Sequence, residues 1–119
     1  MGSIQNFKEL EIWQLGIQLV KAVYTTTHSF PQSEMYCLSN QMKRSAISTP
    51  SNIAEGFRRR SPLEFKRFLN IALGSLAELE TQIIIAHELN YINPQHQKDL
   101  LETIDHINRK VANLYKRLQ

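Results

Sequence analysis

The chain has 119 residues, 42% of them hydrophobic, and carries 14 Lys and Arg against 11 Asp and Glu, for a formal net charge of +3. That suits one domain, spanning 1–119, with one modest core. A single cysteine, Cys37, excludes an intrachain disulfide framework or a four-cysteine zinc site within one subunit, and it points to a reducing, cytoplasmic setting. The start lacks the basic-then-apolar pattern of a secretory signal, and no run approaches the roughly 18 uninterrupted apolar residues of a membrane span, so a soluble protein without a membrane partner is expected. Residues 1–5, with Met1-Gly2-Ser3, read as a flexible or tag-derived start.

In chain order, Asn6 followed by Glu9 has the spacing of a helix cap, and Leu10, Trp13, Ile17, Val20, Tyr24 and Thr27 then recur at alternating intervals of three and four. The spacing predicts a first helix from Asn6 to about Ser29 with that row as its core face. Ile12, Leu15, Leu19 and Val23 form a second apolar stripe, wider than one bundle core requires, which calls for a further partner or a broad buried arc. Phe30-Pro31 ends the helix. Ser33 is the predicted cap of the second helix, whose interior takes in Met35, Leu38 and Met42.

That second helix contains the stretch in which most signals coincide, from Arg44 to Arg60. Met42, Ala46, Thr49, Ile53 and Phe57 share one face, while Arg44, Ser48, Ser51, Glu55, Arg58 and Arg59 share the other. Pro50 has no N–H to give the carbonyl of Ala46, so the helix either kinks there or restarts at Ser51 or Asn52, with Asn52 and Glu55 as a capping box. The apolar face passes through the proline without a change of phase, which favours one kinked helix.

Ser61-Pro62-Leu63-Glu64 is a strong start signal for a third helix, and so short a connection folds it back against the second. Phe65, Phe68, Leu69, Ala72, Leu76, Leu79, Ile83 and Ala86 form its predicted core row, and Ile71, Leu73, Ile84 and Ile85 widen it. Asn93-Pro94 opens a fourth helix with the row Leu100, Ile104, Ile107, Val111, Leu114 and Leu118 and polar outer faces. The pattern predicts an all-α, up-down-up-down four-helix bundle with no strand.

Catalytic chemistry finds little support. Each histidine is preceded three positions earlier by Thr25, Ile84, Asn93 or Thr103, so the Glu-x-x-His pairs of a di-iron bundle are missing. Ser48, Ser51 and Ser75 lie in helical sequence without a nearby histidine, and Cys37 reads as a core or helix-surface thiol. The four glycines are scattered, which leaves no phosphate loop; Gly56 and Gly74 fit close helix approach or a loosened helix end. Glu55, Glu78 and Glu80 are best read as partners of Arg59 and Arg67. A non-enzymatic protein with no cofactor and no metal is expected, and a carboxylate-lined metal or small-molecule site at Asn52, Glu55 and Glu78 is the weakest alternative.

Positive charge is concentrated, with five Lys and Arg against two Asp and Glu in residues 31–60. Lys43, Arg44, Arg58, Arg59, Arg60, Lys66 and Arg67 form the candidate nucleic-acid surface, since guanidinium forks and ammonium groups engage phosphates without reading bases. The plain alternative is a solvated basic face whose arginines complement a helix C-terminus.

Ser48-x-Pro50-x-Asn52-Ile53-Ala54-Glu55-Gly56, then Arg59, Phe65, Arg67-Phe68-Leu69, Ala72 and Gly74-Ser75-x-x-Glu78-Leu79-Glu80, resembles the bacterial four-helix-bundle family encoded in 23S rRNA intervening sequences. The resemblance covers nearly the whole chain. It implies a helical bundle that assembles as a homopentameric ring without established enzymatic activity. It also implies a relative, the accessory variability protein of diversity-generating retroelements, a basic pentamer that engages reverse transcriptase and nucleic acid. RNA or a reverse-transcriptase-like protein is therefore the expected partner, with a purely structural assembly module as the alternative. The motif residues Ser48, Pro50, Asn52, Glu55, Gly56 and Glu78 are expected to be structural.

Overall fold

A computed structural model describes residues 4–118, so part of the expected flexible start lies outside the described residues. These residues form four helices, α1 (Glu11–His28), α2 (Leu38–Arg58), α3 (Pro62–Glu88) and α4 (Pro94–Arg117), with 3-10 turns at Phe7–Glu9 and Gln32–Glu34 and no strand. Each helix packs on the next and α4 returns against α1, whereas α1 and α3, like α2 and α4, make no close backbone approach. The two unlinked pairs are the diagonals of a four-cornered bundle.

Two helix starts follow their local chemistry closely. Ser61 Oγ accepts from the Glu64 N–H at 3.2 Å and Asn93 Oδ1 from the His96 N–H at 2.7 Å, each followed by a proline whose missing N–H has no partner to lose. The other two starts depart from expectation. Asn6 caps only the 3-10 turn, accepting from the Lys8 N–H at 2.9 Å, and Leu10 then adopts an extended backbone that puts its side chain in the core, so α1 begins at Glu11. Ser33 lies within a second 3-10 turn and caps nothing longer, and Met35 is exposed rather than interior. The chain turns once more at Cys37, which is exposed, before α2 starts at Leu38; the Glu34 carboxylate accepts from the Leu38 N–H at 3.3 Å.

Burial exchanges the middle of the two apolar stripes of α1, while Leu10 and Thr27 of the predicted core row are buried as expected. Ile12, Leu19 and Val23 face the core with Gly16, Thr26 and Thr27, while Trp13, Ile17 and Val20 are only half-buried and Tyr24 is exposed. Both rows have helical spacing, and packing against α2 and α4 selects the one that is buried. The predicted rows of α2, α3 and α4 are otherwise closed, with Met42, Ala46, Ile53, Leu69, Ala72, Leu79, Ile83, Ile107 and Val111 fully shielded. Phe57, Phe68, Leu114 and Leu118 sit at the margin. By length and composition alone α3 could cross a membrane, yet its core row is closed inside the bundle.

α2 runs through Pro50 as one helix. Side-chain donors flank the turn that proline deprives of an N–H: Thr49 Oγ1 donates to the Ser45 carbonyl at 3.3 Å, and Asn52 Nδ2 to the Ser48 carbonyl at 2.8 Å. The proline ring lies against α1 at Gly16, where a Cβ would come within 3.1 Å of Pro50 Cβ. Gly56 serves α3 similarly, since a Cβ there would fall 2.5 Å from Phe68 Cβ. Gly74, by contrast, marks no close approach within the chain; a Cβ would meet nothing within 4 Å.

Candidate nucleic-acid interface

The C-terminal end of α2 collects cations, and each is seated on a ring. The Arg58 guanidinium lies 5.2 Å from the centroid of Phe7, Arg59 5.0 Å from Phe68, Arg60 5.5 Å from Phe57, and the Lys66 ammonium 4.9 Å from Tyr115. Cation-to-ring attraction holds these side chains in place while leaving their polar edges available. Phe57 in turn meets Phe65 edge-on at 5.9 Å, so the rings are backed by the core. Arg59 also pairs with Glu55 at 3.1 Å, both exposed, and Arg67 with the half-buried Glu64 at 3.7 Å. Arg67 thus bonds one turn back along its own helix rather than to Glu78 or Glu80 as expected.

Lys43 and Arg44 belong elsewhere. Arg44 shares a helix face with Arg58 and Arg59, but fourteen residues of α2 separate Arg44 from Arg58, about 21 Å along the axis. Lys43 covers Tyr24 at 4.9 Å near the opposite end. Their place is taken by cations the sequence reading passed over: Lys116 and Arg117, in the last turn of α4 beside the Tyr115 that carries Lys66. The excess of positive charge in residues 93–119 was their only local signal.

The motif residues form a hydrogen-bonded seam between α2 and α3. Asn52 Nδ2 donates to Ser48 Oγ at 2.9 Å as well as to its carbonyl, Ser75 Oγ donates to Ser48 Oγ at 2.8 Å, and Ser45 Oγ donates to Glu78 Oε1 at 3.4 Å. Ser48, Asn52 and Ser75 are buried or half-buried; Glu55 and Glu78 are exposed. Among the described residues no three of His, Cys, Asp and Glu come close enough to hold a metal ion together.

A third feature lies on the α1–α2 face, a groove of about 330 Å³ between Trp13, Ile17 and Val20 of α1 and Ile47, Pro50 and Ala54 of α2, with Phe7 at its end. Apart from this groove, α3 exposes Ile71, Ile84 and Ile85.

By fold the chain is similar to the crystal structure of a protein of unknown function from the S23 ribosomal protein family of Bacteroides thetaiotaomicron, with a TM-score of 0.79 and 23% identity, over 88% of this chain and 95% of that one. None of the curated proteins matches. The model of the family described as 23S rRNA-intervening sequence protein matches residues 8–113, from the first 3-10 turn through the last helix almost to its end, and the chain belongs to that family.

Proposed function

We propose that this protein is a non-catalytic bundle whose helices alternate in direction, whose copies close into a pentameric ring, and whose basic end binds RNA through its phosphates. The carrying observation is the set of ring-seated cations Arg58, Arg59, Arg60 and Lys66, because side chains already held in place lose less entropy when a phosphate arrives. The short segments joining α2 to α3 and α3 to α4 support alternating helix directions. Apolar surface in two separate places, the α1–α2 groove and α3, supports a closed ring, since a face on one copy then meets a different face on the next. Repetition of the basic end around such a ring would give one continuous belt in a cytoplasmic protein.

Replacing Arg58, Arg59 and Arg60 together by glutamine tests the reading. Binding of single-stranded RNA by the unaltered protein is expected to fall steeply with salt and to show little sequence preference, with a slope of about 0.7 per phosphate contacted. The triple variant should flatten that slope with helicity and mass unchanged. Salt-independent binding, or a folded variant that binds as well, would remove these arginines from the mechanism. The second reading, an assembly module whose partner is another protein such as a reverse transcriptase, is favoured by the apolar α1–α2 groove, and RNA-free capture of that partner would support it.

A further inference from the structure

Arg58 and Arg60 line one slot of about 260 Å³ with Phe7, Phe57, Gln5 and Asn6, and no carboxylate is among its lining residues. Two guanidiniums bordering one small space that no carboxylate of the described residues lines repel each other, and an anion between them relieves that repulsion. The nearest acidic side chain along α2, Glu55, is engaged with Arg59 instead.

Arg60 also holds its position against the preference of its backbone. Its φ is 58°, the left-handed conformation that glycine or asparagine adopts with least strain at a helix end. The end of α3 follows that preference, with Asn90 at φ 64°. At the end of α2 an arginine occupies the equivalent conformation, its guanidinium over Phe57 and its Nη2 3.5 Å from the Gln5 carbonyl. Asn6 accepts from the Lys8 N–H through Oδ1, which leaves its amide N–H₂ to donate at the slot.

We infer that this slot is a site for a terminal phosphomonoester of RNA, held between Arg58 and Arg60. This deepens the RNA-binding reading and rests on it. A monoester carries close to two negative charges at neutral pH, against one for a diester within the strand, and so matches two guanidiniums. It also has only one substituent to accommodate, whereas a phosphate within the strand needs two exits from a slot walled by Phe7 and Phe57. Both rings are already covered by guanidiniums, so recognition is of the phosphate and not of a base stacked on phenylalanine.

The test compares three single-stranded RNA octamers of one sequence, ending in a 5′-phosphate, a 3′-phosphate or hydroxyls only, by fluorescence anisotropy at matched ionic strength. A phosphate-ended octamer is expected to bind at least about tenfold tighter than the hydroxyl-ended one, the scale of one or two added charge-assisted hydrogen bonds; the 5′ and 3′ arms identify the end. Arg60→Gly should abolish the preference while leaving the denaturation midpoint equal or higher, because glycine suits the backbone there. Arg58→Gln, at an exposed position, should weaken the preference without a backbone change. Equal binding of all three octamers with a steep salt dependence would overturn the terminal-phosphate site and leave the RNA-binding reading intact. No binding by any octamer would overturn both. A preference that survives in both variants would overturn the assignment to this slot.

Discussion

Asn52 illustrates how a polar residue in a helix becomes structural. Its amide reaches both the carbonyl and the hydroxyl of Ser48, beside the turn that Pro50 leaves short of a donor, and Ser75 continues the chain of bonds into α3. Asn52→Ala should therefore lower the stability by about 1–3 kcal/mol, read as an earlier urea midpoint. Glu55, its neighbour in the motif, pairs with Arg59 at exposed positions, so Glu55→Ala should change the stability by less than about 1 kcal/mol. Tyr91 offers a pH-dependent counterpart. Its hydroxyl donates to Glu34 at 2.8 Å, and the hydrogen bond, with partial desolvation and the carboxylate's charge, raises its pKa above the ordinary tyrosine value. A proton held more tightly in the folded state contributes stability that is fully present below the unfolded pKa and is lost as the pH rises through the folded one. As the pH rises beyond about 10, the ordinary tyrosine value, the midpoint of the unaltered protein should fall more than that of Tyr91→Phe, which lacks the titrating hydroxyl; parallel profiles would mean that the bond contributes nothing.

At the scale of elements, the glycines separate two kinds of helix surface. Gly56 lets α3 approach α2 so closely that Gly56→Ala would force Phe68 aside, an overpacking expected to destabilise by about 1–3 kcal/mol or more. Gly74 sits on α3 with open space beyond it, so in an isolated subunit Gly74→Ala should stabilise by about 0.5–1 kcal/mol through helix propensity. In a ring that packs a neighbour on this face, the same methyl group would lower the assembled mass instead. Denaturation and light scattering on the one variant distinguish these outcomes.

For the whole molecule, the α1–α2 groove and the exposed isoleucines of α3 are separate apolar surfaces, an arrangement suited to head-to-tail contact between copies. Light scattering at micromolar concentration should give a mass near five subunits. Ile47→Lys at the groove and Ile84→Lys on α3 should each reduce it, since burying an unpaired ammonium at an apolar contact is strongly unfavourable. A monomer in the unaltered protein would remove the ring, and a different closed number would change only its stoichiometry.

Helix number, the starts of α3 and α4, the continuity of α2 and most of three core rows depended on local chemistry: caps, prolines at first turns and apolar spacing act over a few residues and are legible in one chain. The start of α1 and the choice between its two stripes were not, because both rows have helical spacing and only packing against α2 and α4 selects one. Arg44 and Arg58 show the same limit in the candidate site. Angular periodicity aligned them, but rise along the axis parted them, and the cations that join Arg58, Arg59, Arg60 and Lys66 at the basic end, Lys116 and Arg117, come from a helix distant in sequence. The pairing of Arg58 with Phe7, of Lys66 with Tyr115, and of Gly16 with Pro50 joins segments whose meeting depends on how the four helices close. Tertiary structure alone decided those, since contact between side chains far apart in the chain is set by the packing of whole elements and leaves no local pattern.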